Sequence, residues 1–167
     1  MKKLLLIFTC ALLSFGLKAQ ESTICRNDVS FFVDTVSFEL INQLPDGFYK
    51  VYFDSLKTII DCSGEINDNK RIGDWTWYHY NGGKKRQVTY KDGKIHGQDK
   101  YYYPNGQQSL SIPFTEGVQN GFTSGWYLNG PKMFEGTYLN GNPSETWKCY
   151  NEDGTLFKEE KHTDISK

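Results

Sequence analysis

Trp75-Thr76-Trp77-Tyr78-His79-Tyr80-Asn81-Gly82 decides the fold, because the same pattern returns three more times at a fixed distance. It recurs as Asp99-Lys100-Tyr101-Tyr102-Tyr103-Pro104-Asn105-Gly106 and as Thr123-Ser124-Gly125-Trp126-Tyr127-Leu128-Asn129-Gly130. The fourth copy is Trp147-Lys148-Cys149-Tyr150-Asn151-Glu152-Asp153-Gly154, so the period is 24 residues with no gap. A fixed period of this length marks a stack of supersecondary units, each burying surface against its neighbours.

Each copy is an aromatic strand closed by Asn-Gly or Asp-Gly, a dipeptide that supplies positive φ at both centres of a type I′ hairpin turn. A second strand follows and ends at Tyr90, Phe114, Tyr138 and His162 in the same phase. In the first three copies a second turn comes next, at Asp92-Gly93, Glu116-Gly117 and Asn140-Gly141. A looser, earlier copy runs from Pro45-Asp46-Gly47 to Ile66, with Tyr52 matching Tyr78 after a two-residue length change and Asp68-Asn69 as its closing turn. The expected fold is therefore all-β: a single-layer antiparallel meander of about five two-strand units.

Working outward, Val29-Ser30-Phe31-Phe32-Val33 and Val36-Ser37-Phe38-Glu39-Leu40 are strand-like but out of register, and are read as an N-terminal cap. Before them, Lys2 and Lys3, the apolar stretch Leu4 to Phe15 and Leu17-Lys18-Ala19 have the order of a secretory signal peptide. The expected organisation is signal peptide 1–19, cap 20–44, repeat domain 45–162 and tail 163–167. Cleavage predicts an exported chain, periplasmic, cell-surface or secreted, with no stable membrane span. Loss of Lys2, Lys3 and Lys18 leaves 19 − 3 = 16 basic against 20 acidic residues, net −4. That balance argues against nucleic acid as a partner.

Strand alternation sorts the aromatic residues onto two faces. One carries Tyr52, Tyr78, Tyr102, Trp126 and Tyr150, a column that keeps its ring in every copy and is read as a structural ladder, at about 0.2–1 kcal/mol per cross-strand pair. The opposite face carries Trp75, Trp77, Tyr101, Tyr103 and Tyr127. It varies from copy to copy, through Trp77, Tyr101, Gly125 and Cys149, and these aromatics are the candidate binding residues.

The rhythm Gly-x-Trp-x-x-Tyr-x-x-Asn-Gly, clearest from Gly73 to Gly82 and from Gly97 to Gly106, resembles the bacterial MORN-type repeats of the longer variant form. The resemblance covers residues 45 to 162 and implies a single-layer meander with a role in scaffolding or binding. Some bacterial members look like the antitoxin half of a toxin–antitoxin pair. The chain departs from the pattern at Glu145, which replaces the opening Gly of the last copy, and at Thr123 and Gly125 in the third.

Chemistry is sparse. The sequence has no His-Glu-x-x-His, Gly-x-Ser-x-Gly, phosphate loop or Cys-x-x-Cys. His79, His96 and His162 fall at different phases, so the repeat does not gather them on one metal. Asp92, Glu116 and Asp153 beside turn glycines are read as turn formers, and Lys84-Lys85-Arg86 as a solvated hairpin tip. No enzyme activity, cofactor or metal is expected. Cys149 lies 87 positions after Cys62, about seven strands at ~4.8 Å each, too far for a bridge across an open ribbon. The expected disulfide is Cys25 with Cys62, leaving Cys149 unbridged. The function that follows is an exported interaction module binding a protein or an envelope polymer through an aromatic sheet face, with an antitoxin-like component or a glycan-binding surface protein as alternatives.

Overall fold

The computed structural model describes residues 45–52 and 59–162. The expected signal peptide, the 20–44 cap, Cys25 and the 163–167 tail lie outside the described residues. Twelve strands form one open sheet: β1 (Gly47–Tyr52), β2 (Ile60–Asn67), β3 (Lys70–Tyr78), β4 (Lys84–Lys91), β5 (Lys94–Ile95), β6 (Gly97–Tyr102), β7 (Gln108–Thr115), β8 (Val118–Gln119), β9 (Gly121–Trp126), β10 (Lys132–Leu139), β11 (Asn142–Tyr150) and β12 (Leu156–His162). They pair antiparallel in chain order, β1-β2-β3-β4-β6-β7-β9-β10-β11-β12, while the two-residue strands β5 and β8 pair with β4 and β7. There is no helix among the described residues, and the all-β antiparallel meander expected from the sequence is what forms.

The strands are joined by two kinds of turn, and here the structure corrects a detail. Asp68-Asn69 and the pairs Asp92-Gly93, Glu116-Gly117 and Asn140-Gly141 have positive φ at both residues, the type I′ geometry of two-residue loops. The Asn-Gly and Asp-Gly turns closing each aromatic strand do not. At Tyr80-Asn81-Gly82 only Gly82 is left-handed (φ 81°), and His79 and Gly83 bracket a three-residue loop through His79 N–H to Gly83 O (2.7 Å). This is a type I turn followed by a left-handed glycine. Asn81 contributes its side chain, its Oδ1 accepting from Gly83 N–H at 3.0 Å. Asn105 does the same for Gln107, and Asp153 for Thr155.

Successive strand pairs are stapled at both ends. Tyr103 O–H donates to Trp126 O (2.7 Å) and Tyr127 O–H to Tyr150 O (2.8 Å), while Asn81 and Asn129 donate to Pro104 O and Glu152 O. At the opposite ends the turn amides of Gly93, Gly117 and Gly141 donate back to Arg71 O, Ile95 O and Gln119 O. Every one of these bonds reaches 22 or 23 residues along the chain, so the sequence period is also the period of the contacts.

Irregularities recur as well. Between Ser63 and Glu65 on β2 lies one residue, while their partners Thr76 and Ile72 on β3 enclose three. The two extra residues turn the strand, with Gly73 left-handed at φ 61°. Gly97 and Gly121 also have positive φ one and two periods on, at 99° and 121°, and Glu145 matches Gly73 three periods on at φ 58°. A side chain with a Cβ is strained there. Glu145→Gly is expected to stabilise the fold by about 1 kcal/mol, net of a lost surface contact from Thr137 Oγ1 to Glu145 Oε2. Urea unfolding measures it, and an unchanged or lower midpoint would count against the strain.

Candidate functional site

Two adjacent rows of residues cross the sheet in register and show which face is which. One runs Cys62, Trp77, Arg86, Tyr101, Leu110, Gly125, Phe134 and Cys149; the next runs Ser63, Thr76, Gln87, Lys100, Ser111, Ser124, Glu135, Lys148 and Glu159. The first lies on the closed face with Trp75, Val88, Ile112 and Trp147, all buried. The second is hydroxyl, amide and charge throughout, and lies on the open face.

Two of the expected binding residues are interior. Trp75 is 2% exposed and Trp77 8%, in one cluster with Cys62, Ile66, Val88 and Tyr90. Trp75 lies across Gly64, where an added Cβ would fall inside the indole ring, and its Nε1–H donates to Glu65 O (3.1 Å). Tyr101 packs into the same face, and Tyr103 and Tyr127 are staples between successive units. Trp75 and Trp77 are interior, while Tyr101, Tyr103 and Tyr127 are half-buried. Alternation placed them on a common face but carries no sign, and the interior of a sheet is its ring-rich, gap-filled side.

What the sequence reading missed is a buried ion pair on that face. Arg86, expected in a solvated tip, is turned inward, and its Nε and Nη2 both donate to the Asp99 carboxylate at 2.9 Å. The guanidinium carbon stands 5.0 Å from the Trp77 ring centre and 5.2 Å from that of Tyr101. Burial alone would weaken the charge on Arg86, but the Asp99 carboxylate outweighs it and raises the guanidinium above its ordinary range. Burial, with the negative charge of Asp99 second, pushes the Tyr101 phenol up. On the other side of Trp77, Arg71 stands 4.8 Å from the Trp75 ring centre and 5.5 Å from that of Tyr90. The signal was available in phase: Asp99 occupies the position of Trp75 and Trp147, Arg86 that of Cys62 and Phe134, so two charges enter one core position each on paired strands.

The open face carries the other column. Tyr78, Tyr102, Trp126 and Tyr150 end β3, β6, β9 and β11, all half-buried, and pair with Lys84, Gln108, Lys132 and Leu156. Tyr52 ends β1. Two strand spacings separate one ring from the next, about 9.5 Å. The phenols are tied to the polar row beside them: Tyr150 Oη–H donates to Glu135 Oε1 (2.7 Å), and Tyr78 Oη and Ser63 Oγ share a bond of 3.4 Å. Hydrogen bonds from Lys132 and then Tyr150 hold the Glu135 carboxyl below the usual carboxylate range, and the bond to Glu135 raises the Tyr150 phenol. At the adjoining hairpin tips Tyr80 and Leu128 are exposed, 73% and 57%. The result is a strip of rings at regular intervals beside a continuous polar row.

The cysteines also differ from expectation. Cys62 is a thiol, 0% exposed in the closed-face cluster, so the Cys25–Cys62 bridge is corrected. Cys149, expected to be unbridged, is disulfide-bonded, and its counterpart lies outside the described residues.

Among the described residues no three His, Cys, Asp or Glu side chains stand together as a metal site, and no helix is long and apolar enough to cross a membrane. Comparison with protein-family models and with curated proteins finds no match.

Proposed function

We propose that this chain is an exported, non-enzymatic interaction module of about five MORN-type two-strand units with an N-terminal cap, and that its open aromatic ladder binds an extended envelope polymer. The observation that carries this reading is the ladder itself: four half-exposed rings, one per unit, flanked by donors and acceptors. A regular row of like sites suits a ligand that is itself repetitive. Pyranose rings present an apolar C–H face that packs on an aromatic ring and hydroxyls that hydrogen-bond at its rim. The expected function is thus kept while its face moves, from the Trp75–Tyr127 set to Tyr78, Tyr102, Trp126 and Tyr150.

The test is sedimentation of the mature protein with purified peptidoglycan and with soluble envelope polysaccharide. Tyr102→Ala and Trp126→Ala are each expected to weaken binding about tenfold, as loss of one aromatic anchor does, with the fold retained. Binding unchanged in the double variant removes the ladder from the site. In-cell crosslinking of the tagged protein separates the alternatives. One protein captured at stoichiometric yield, with no polymer, replaces the polymer reading by a protein-binding one, and a toxic partner would make that the antitoxin-like component.

A further inference from the structure

The last hairpin breaks the repeat at the positions where one unit grips the next. On the closed face the second strand of each unit supplies three residues at fixed phase: Arg86, Val88 and Tyr90 in β4, Leu110, Ile112 and Phe114 in β7, and Phe134, Gly136 and Tyr138 in β10. The one charge among them, Arg86, is met by Asp99 on β6, in the next unit. In β12 the same phases hold Lys158, Glu160 and His162, opposite Cys149, Trp147 and Glu145 of β11. Lys158 Nζ and Glu160 Oε2 stand 2.6 Å apart, and their side chains are 49% and 38% exposed, where Val88 and Ile112 are 0% and 5%. Independently, the staples stop. His79, Tyr103 and Tyr127 bond to Tyr102 O, Trp126 O and Tyr150 O one unit on. The next member of that series is Asn151, whose Nδ2 donates instead to Thr155 Oγ1 (2.9 Å) within its own turn. Asn81 and Asn129 reach the next unit through their amides, but the last member of their series is Asp153. Its carboxylate accepts from Thr155 N–H and Thr155 Oγ1–H at 2.9 and 2.6 Å, so this turn is closed on itself.

We propose that the β11–β12 hairpin is a built end of the ribbon: β12 takes no further strand, whether from a second copy or from an extended segment of another protein. Among the described residues β12 pairs with β11 alone. A strand laid on its other edge would bring closed-face side chains against Lys158 and Glu160 and strip water from both charges. The open side is no more receptive, since Glu159 and Lys161 stand exposed there. Charges on both faces of a terminal strand protect an open sheet against edge-to-edge growth. The missing staples remove the bonds that would lock such a strand in place. One consequence is that copies do not stack here to prolong the ladder of the open face, so its length is set within one chain.

The first test is amide hydrogen exchange of the mature protein. The β12 amides that face away from β11 are expected to exchange at least about tenfold faster than the amides of β10. Protection of every β12 amide to the level of β10 overturns the proposal. The second test restores what the hairpin lacks, giving β12 the residues of β7 and the turn its staple: Lys158→Leu, Glu160→Ile and His162→Phe with Asn151→Tyr. In sedimentation the wild type is expected at the mass of one copy, and the variant at about twice that mass or more, with its β12 exchange slowed about tenfold. A variant that keeps the circular dichroism of the sheet and stays at the mass of one copy overturns the proposal. So do wild-type copies joined through Lys158 or Lys161 by an amine crosslinker. Where the quadruple variant loses the sheet, Lys158→Leu with Glu160→Ile, which removes the ion pair as a pair, is read in the same way. None of these readouts depends on the ligand of the open face.

Discussion

Asp99→Ala is expected to destabilise the protein by about 3–5 kcal/mol, because it leaves Arg86 charged, buried and without its carboxylate. The guanidinium cannot shed its proton to escape, and the Trp77 and Tyr101 faces offer only a fraction of what two 2.9 Å bonds supply. The effect is expected to resist salt, since the pair is shielded from counterions. Replacing both partners with apolar residues, Arg86→Met with Asp99→Leu, is expected to recover most of the loss. Urea midpoints for the singles and the double decide it. A cost near zero for Asp99→Ala would mean that Arg86 simply swings out to solvent.

Trp75→Ala is expected to cost a similar 3–5 kcal/mol, combining lost burial with a cavity that the Gly64 backbone cannot fill. Gly64→Ala attacks the same contact from the other side, by overpacking, and is expected to cost about 1–3 kcal/mol. The pair is one member of a series. At the two phases concerned Gly64 meets Trp75 and Gly136 meets Trp147, the glycine on one strand leaving room for the indole on the next, while the intervening units carry Val88 with Asp99 and Ile112 with Thr123. Importing a whole pair, Gly64→Ile with Trp75→Thr, is accordingly expected to be far less damaging than the sum of its two single changes. Additive costs would show that the two positions do not share a space.

The period, the strands and the turns were legible in the sequence because each rests on local chemistry: alternating rings, then Asn or Asp with Gly. The turn type at Asn81-Gly82 was misread because the same dipeptide serves a two-residue and a three-residue loop. What distinguishes them is where the strands begin to pair, at His79 and Gly83. Which face is inner was not legible for a related reason. The ring is constant in the half-buried column of Tyr78, Tyr102, Trp126 and Tyr150, whereas the buried set varies because its members compensate one another in size and charge. Gly64, Gly136, Arg86 and Asp99 are meaningful only beside their partners, and a one-strand pattern does not contain the partner.

The staples that tie each unit to the next 22 or 23 residues away have a consequence for how the chain acquires its shape. Sheet proteins are usually slow to form because their strands must find distant partners. Here the described strands pair with neighbours in the chain, so the entropy lost in closing each loop is small and no strand waits on a distant one. The ribbon can lengthen by one hairpin at a time from whichever end is first released, each completed unit serving as the template on which the next one zips.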